Sequence, residues 1–255
     1  MLNEDIALYA GFGLERVVLN GKHDADYYTE YLNEQVHEVV YERTIKAKKW
    51  STLWLPFAID VEKQEMKGRL YTLANANIED NSGLINVILT FHKNTSGVVC
   101  AGEPCLYYSS TEIPVSYSYY DVFFENLDAM TISVGEGVYK IKYFGTTKNV
   151  LLGGSSIDPN LNKSYRYLSD NVLYYPSSNG VNMETFRGYF QIDDYNYWYG
   201  SSQLAPRLHI VADGQEINES EEEGEDSVSK YIDTEGNLII QRGGNKYDAQ
   251  GRLLD

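Results

Sequence analysis

The segment DDYNYWYGSS, residues 193–202, combines aromatic rings with carboxylate and amide side chains. Sugar recognition uses this chemistry, because aromatic faces stack on pyranose C–H groups while carboxylates and amides bond to hydroxyls. The segment follows the strand-like FRGYFQI and precedes Pro206, so we expect a connecting loop, where binding residues concentrate. The alternative is a loop whose rings pack on the end of the fold. The ligand-binding candidates are Asp193, Asp194, Tyr195, Asn196, Tyr197, Trp198 and Tyr199.

A second aromatic segment, SYSYYDVFF at residues 116–124, is a weaker candidate for the same role. Side chains alternate between the two faces of a strand. Regular alternation would place Tyr117, Tyr119 and Phe123 on one face and Tyr120 on the other.

Catalytic motifs are not evident in the sequence. A glycosidase needs two carboxylates across the scissile bond, but Asp193 and Asp194 are adjacent and would face opposite ways in a strand. Glu103, Asp121 and Glu184 could meet only through the tertiary structure. The chain has no nucleophile elbow, P-loop or dinucleotide fingerprint. We therefore expect no catalytic residues and no cofactor, and we keep a carbohydrate-active hydrolase as a minor alternative.

Metal-ligating residues are few and scattered. Two cysteines, Cys100 and Cys105, are too few for a zinc site or a disulfide scaffold, and they are either bridged across a turn or, as we expect, two free thiols. The histidines lack ligand spacing, so we expect no metal site. They are His23, His37, His92 and His209.

Calcium deserves separate consideration because oxygen side chains alternate in IDPNLNKS, at Asp158, Asn160 and Asn162. An EF-hand loop requires glycine at its sixth position, where this chain has Lys163. A Pro–Asn turn is the alternative, and we favour it.

Charge and composition exclude several classes of partner. The chain has 37 acidic and 21 basic residues and a net charge of −16. Nucleic-acid binding and attachment to anionic lipid both need clustered Lys and Arg, so neither is expected. No apolar stretch approaches the roughly 18 residues that span a membrane. The 23 tyrosines are typical of strands.

Hydrophobic patterning predicts many short strands. HEVVYERTI (37–45), WSTLWLPFAI (50–59) and LINVILTF (84–91) are alternating or continuously apolar, and Gly- and Asn-containing turns separate the later candidates. Such a series favours an all-β sandwich, which we expect to be jelly-roll-like. The best helix candidate is DADYYTEYLNEQV, near residues 24–36.

Composition also predicts the organisation of the chain. We expect a β-sandwich domain over 1–212, of which 1–38 has little pattern of its own. The acidic, apolar-poor stretch 213–227 is expected to be a flexible linker. Residues 228–255 contain apolar runs around glycine turns, which predict a small β-hairpin or meander.

Three segments resemble, in order, a recurring module of secreted surface proteins from Bacteroidales bacteria. YERTIKAKKWSTLWLPF matches an R-T … W-x-T-L-x-L-P-F pattern, although Trp54 replaces a common Cys. The matching positions are Arg43, Thr44, Trp50, Thr52, Leu53, Leu55, Pro56 and Phe57. The middle segment matches at Leu70, Tyr71, Ala101, Gly102, Pro104 and Leu106. The closing F-R-x-Y-F pattern matches at Phe186, Arg187, Gly188, Tyr189 and Phe190.

The resemblance implies an all-β, extracytoplasmic module that accompanies adhesion-like regions, and it brings no catalytic residues with it. The start MLNEDIALYAGFGLERV lacks the features of a signal peptide, so we expect a mature or trimmed form of a secreted or cell-surface protein. We expect a non-enzymatic module for adhesion or glycan binding, with a glycan or a host or matrix protein as partner. The alternative is a structural spacer that contacts other domains of its own larger protein.

Arg43 and Arg187 lie in apolar segments and are expected to be architectural, paired with a carboxylate or an aromatic ring.

Overall fold

The structure is a computed structural model that describes residues 16–64, 68–81, 84–112, 116–154, 164–177, 179–192, 206–218, 228–232, 238–242, 245–247 and 252–254. Within these ranges the chain forms 22 strands and two short 3₁₀ helices, Ala25–Tyr31 and Gly137–Tyr139. Neither helix is long or apolar enough to cross a membrane.

The strands, in chain order, are β1 (Arg16–Asn20), β2 (Gln35–Glu42), β3 (Trp50–Leu53), β4 (Ile59–Asp60), β5 (Arg69–Asn81), β6 (Leu84–Lys93), β7 (Val98–Val99), β8 (Cys105–Tyr108), β9 (Ser116–Phe123), β10 (Thr131–Val134), β11 (Ile141–Gly145), β12 (Val150–Leu152), β13 (Tyr165–Ser169), β14 (Val172–Tyr174), β15 (Val181–Met183), β16 (Gly188–Ile192), β17 (Arg207–Ala212), β18 (Gln215–Asn218), β19 (Val228–Ile232), β20 (Leu238–Arg242), β21 (Asn245–Tyr247) and β22 (Leu253–Leu254).

A six-stranded sheet in the order β18-β17-β6-β5-β8-β3 is the largest in the protein. Its longest pair is the antiparallel β5–β6, and β17 returns to lie parallel to β6. A five-stranded sheet, β10-β11-β16-β13-β14, packs on one face of it. Between them Tyr143 and Phe190 stack with ring centroids 4.3 Å apart, and Phe91 lies edge-on to both rings. This arrangement confirms the all-β, sandwich-like architecture predicted from the sequence.

A three-stranded sheet, β1-β2-β9, lies against the opposite face of the six-stranded sheet near β3, β5 and β8. Strand β8 shows the consequence, because Cys105 and Tyr107 point to this layer while Leu106 points into the sandwich core. Burial on both faces explains why CLYY is continuously apolar, without the polar alternation of a strand that has one face in water.

Smaller sheets complete the fold. Strands β4 and β7 pair, as do β12 and β15, and β19 to β22 form the antiparallel meander predicted for the C-terminal tail. Strand β18 lies inside the stretch 213–227 expected to be a linker, and its Ile217 is 1% exposed in the sandwich core. The six-stranded sheet therefore continues to Asn218.

The helix predicted near 24–36 is wrong in its second half. The 3₁₀ helix ends at Tyr31, and β2 begins at Gln35. The sequence from Val36 is rich in β-branched residues, and it finds hydrogen-bonding partners on two sides, in β1 and β9. Tertiary pairing therefore outweighs a weak helical period that rests on tyrosines.

The turn between β15 and β16 joins the three layers. Phe186 has a φ of 64° although it is a bulky residue, and its side chain is fully buried. Its ring packs on Tyr28, Tyr41 and Trp54, with centroids 5.7, 6.1 and 5.1 Å away. A left-handed backbone at such a residue costs about 1–3 kcal/mol, so the surrounding contacts must hold it in place.

Thr146, which follows β11, supplies hydrogen bonds on both sides of Phe186. Its carbonyl accepts hydrogen bonds from the Phe186 N–H at 3.0 Å and from Trp54 Nε1 at 2.9 Å. Its hydroxyl donates to the Glu184 carbonyl at 2.7 Å and accepts from the Arg187 N–H at 3.0 Å. We call Trp54, Thr146 and residues 184–188 the Phe186 junction.

Thr146→Val should lower the free energy of unfolding by about 1–3 kcal/mol, because it leaves the polar backbone groups at Glu184 and Arg187 without the hydroxyl. Thr146→Ser is the matched control, since it keeps the hydroxyl and loses only a methyl group worth about 1 kcal/mol. Urea denaturation measures both. Equal destabilisation of the two variants would show that the hydroxyl does not stabilise the junction.

Candidate functional site

The predicted ligand-binding segment, residues 193–199, lies outside the described residues, as do Asp158, Asn160 and Asn162 of the calcium candidate. Both remain predictions from the sequence. The second aromatic segment is described over β9 and contains the exposed rings considered below.

The predicted faces of β9 are correct for Tyr119 and Tyr120 and wrong for Phe123. Tyr119 is 2% exposed and Tyr120 is 51% exposed, as opposite faces require. Phe123, expected on the face of Tyr119, is 45% exposed. Among the described side chains of β9, the rings that face solvent are therefore Tyr120 and Phe123.

A local break in the β2–β9 ladder causes this difference at Phe123. Val36 pairs with Val122 and Glu38 with Tyr120, but the intervening His37 and Asp121 are not paired in the register. Asp121 has a φ of 51°, which a short polar side chain tolerates better than most. The break leaves the Tyr120 and Asp121 side chains both exposed, in place of the regular alternation of a strand.

Two polar side chains, His37 and Gln64, form hydrogen bonds with the residues at this break. His37 Nδ1 and Asp121 Oδ1 lie 2.8 Å apart, with both side chains about two-thirds exposed. The Gln64 amide donates to the Tyr120 carbonyl at 2.7 Å, and its oxygen accepts from the Tyr120 N–H at 3.3 Å. Gln64 thus occupies the outer edge of β9 as a neighbouring peptide would.

We call His37, Gln64, Tyr120, Asp121 and Phe123 the β9 edge patch. Tyr120 lies beside the His37 ring, with centroids 6.4 Å apart. The patch presents apolar ring faces next to a carboxylate, an imidazole and an amide on an exposed surface. This combination suits a ligand that has both C–H faces and hydroxyl groups.

The carboxylates considered for catalysis have different local partners. Glu103 accepts from the Cys100 N–H at 3.1 Å, Asp121 bonds to His37, and Glu184 bonds to Arg187. Within the described ranges, no three His, Cys, Asp or Glu side chains are grouped so that they could hold a metal ion.

Three cationic side chains surround Glu184. Arg187 Nη2 donates to Glu184 Oε2 at 2.6 Å, which gives this arginine the carboxylate partner expected from the sequence. Arg43 instead donates to the Thr52 carbonyl at 2.7 Å. The Thr52 hydroxyl in turn accepts from the N–H of Gly188, the residue after Arg187. Burial and the charge of Arg187 lower the pKa of Arg43 to about 10. We call Lys22, Arg43, Glu184 and Arg187 the Arg187 cluster.

The charges of this cluster act together on Glu184. Its bond to Arg187 lowers its pKa below the ordinary value of 4.5, and the charges of Arg43 and Lys22 lower it further. Glu184 is thus an anion held by several cations in a strongly acidic chain.

The two cysteines are free thiols, as expected, but their surroundings differ. Cys100 is exposed. Cys105 is 2% exposed between β3 and β5, and burial raises the pKa of its thiol.

No protein-family model, curated protein or solved structure matches this sequence. Residues of the R-T … W-x-T-L-x-L-P-F and F-R-x-Y-F patterns contact one another in the structure. Arg43 donates to the Thr52 carbonyl, and the Thr52 hydroxyl accepts from the Gly188 N–H at 3.0 Å.

The Glu184–Arg187 interaction should depend on pH. A carboxyl with a lower pKa in the folded chain stabilises the fold above its unfolded pKa, and this contribution disappears as the pH falls through the folded pKa. A double-mutant cycle with Glu184→Gln and Arg187→Gln should give a coupling of less than about 1 kcal/mol at pH 7, because Glu184 is half-exposed. The coupling should decrease as the pH falls through the lowered pKa of Glu184, and one that stays constant down to the acid limit of the folded protein would show that charge does not hold the pair.

Iodoacetamide should modify Cys100 in the native protein and Cys105 only after unfolding, because the Cys105 thiol is buried and its thiolate disfavoured. Mass spectrometry of the labelled peptides measures this difference. Native Cys100→Ser is the control and should stay unlabelled, so rapid labelling of that variant would contradict the burial of Cys105.

Proposed function

We propose that this protein is a non-enzymatic, secreted or cell-surface module that binds glycans through exposed aromatic rings, with neutral sugars held on the β9 edge patch. The observation that carries the proposal is the outward display of Tyr120 beside the His37–Asp121 pair, with Phe123 also exposed on the same strand. Both rings are about half-exposed, and exposed apolar groups that cluster with a polar rim are typical of interaction sites.

The polar groups of the patch suit sugar hydroxyls. Asp121 has acceptor positions beyond its bond to His37, and the second ring nitrogen of His37 is not used by that bond. Because β2 and β9 are held in a sheet with Gln64 along the edge, the rings are positioned before a ligand arrives. Preorganisation reduces the ordering cost of binding.

The resemblance to Bacteroidales surface modules supports an extracytoplasmic location and an adhesive role. A host or matrix protein is the other kind of partner that such a patch suits, since tyrosines are common anchors of protein interfaces. A carbohydrate-active hydrolase is the least favoured function, because the carboxylates considered for it have separate local partners.

A structural spacer within a larger surface protein is the second candidate. The Phe186 junction favours it, because the residues of two sequence patterns serve there to hold three layers together. A spacer needs this rigidity and no ligand.

A glycan array probed with the full chain tests the proposal. We expect selective binding of neutral glycans, weakened about tenfold or more in the variant Tyr120→Ala/Phe123→Ala, since an aromatic contact contributes roughly 1 kcal/mol. The variant Tyr197→Ala/Trp198→Ala tests the segment predicted from the sequence in the same assay. Val98→Ala, which truncates a side chain 57% exposed in β7, is the control.

The outcomes separate the candidates. Loss of binding in the Tyr120/Phe123 variant alone supports the β9 edge patch, and loss in the Tyr197/Trp198 variant alone assigns binding to the 193–199 segment. A folded wild-type chain that binds no glycan contradicts the proposal and favours the spacer.

A further inference from the structure

The Arg187 cluster lies where three loops are tied together. The Thr185 N–H donates to the Gly21 carbonyl at 3.1 Å, and the Ala25 N–H donates to the Thr147 carbonyl at 2.7 Å. Asn149 adds two bonds to the first loop, donating from Nδ2 to the Lys22 carbonyl at 2.9 Å and from its N–H to Asp24 Oδ1 at 3.0 Å. The backbones of these loops are therefore held in fixed relative positions.

Positive charge is concentrated at this point. Lys22, Arg43 and Arg187 all act on Glu184, in a chain whose net charge is −16. Asp24 on the first loop is a second anion, and it accepts a hydrogen bond from the Asn149 N–H. Arg43 is half-buried and donates to the Thr52 carbonyl, so it contributes its charge from within the fold.

The exposed members of the cluster can reach a ligand. Lys22 is exposed, and the Arg187 side chain is 29% exposed. A guanidinium carries five N–H donors in one plane, so the bond from Nη2 to Glu184 leaves donors for a second oxyanion. Glu184, whose side chain is 47% exposed, is a carboxylate of the chain itself, and the oxyanion of a ligand can replace it at Arg187.

An exposed aromatic ring, Tyr27, lies in the 3₁₀ helix that follows this loop. His23, next to Lys22, stacks on Tyr27 with ring centroids 4.2 Å apart and planes 11° apart. Tyr27 is 62% exposed, the largest value among the exposed apolar and aromatic side chains of the described residues. Its ring contacts Tyr28 edge-on, and Tyr28 packs on Phe186, the neighbour of Arg187.

We propose that Lys22 and Arg187 bind the carboxylate or sulfate group of an acidic sugar whose ring stacks on Tyr27, at a second site separate from the β9 edge patch. This inference rests on the proposed function only in taking a sugar as the carrier of the acid. The oxyanion replaces Glu184 as the partner of Arg187, and the charges of Lys22 and Arg187 attract it in spite of the acidic chain.

Isothermal titration of the full chain with sodium glucuronate, glucose and sodium sulfate tests this site. We expect glucuronate to bind more tightly than glucose, with about tenfold loss in Arg187→Gln and in Lys22→Gln, since each removes a charge-assisted contact. Glu184→Gln should instead strengthen binding, because it removes the internal competitor. A purely structural Arg187 would not give these opposite changes.

Lys46→Gln is the matched control, because it removes an exposed lysine and an ion pair to Asp170 elsewhere on the surface. Equal weakening in Lys46→Gln, or equal affinity for glucose and glucuronate, would overturn the site. Sulfate binding as tight as glucuronate binding, with no effect of Tyr27→Ala, would overturn the sugar part. Tyr120→Ala/Phe123→Ala should leave glucuronate binding unchanged, so failure of this site and failure of the β9 edge patch give different results.

Discussion

The left-handed backbone of Phe186 is the constraint on which the rest of this structure depends. Its ring fills the space between the 3₁₀ helix, β2 and the segment after β3, while Thr146 holds the backbone on both sides. The strain is confined to one residue and is offset by burial and by at least four hydrogen bonds to Thr146. The turn leads directly into β16, which pairs antiparallel with β11 in the five-stranded sheet.

Close packing around Trp54 follows from the same constraint. A Cβ on Gly145 would lie 2.7 Å from Trp54 Cδ1 and 2.6 Å from the Ala129 Cβ, and one on Gly188 would lie 2.8 Å from the Tyr143 ring. Glycine at these positions lets the large rings reach the layer boundary. Protein interiors are packed densely enough that such pairs of large and absent side chains determine one another.

The proposed binding features lie where regular structure stops. Asp121 breaks the β2–β9 ladder and leaves adjacent side chains exposed, while the loops around Lys22, Asn149 and Glu184 gather charge at a meeting point of elements. Gln64 shows how the exposed edge is handled, since its amide satisfies backbone groups that would otherwise be open to another strand. The regular sheets thus hold both proposed sites in place, although the residues of these sites lie in irregular segments.

Sequence pattern by itself determined the strand content, the sandwich-like class and the C-terminal meander, because period-two patterning and glycine turns are local properties. It also singled out Phe186, Arg187 and Gly188 of the Phe186 junction, but as a pattern without partners. Only the tertiary structure decided which aromatic rings of β9 face solvent, since one left-handed residue reverses the alternation. It also decided that Gln35–Glu42 is a strand, that Gln215–Asn218 belongs to the main sheet, and that Lys22, Arg43, Glu184 and Arg187 meet. Each of these depends on contacts between residues far apart in the chain, and such contacts leave no local signal in the sequence.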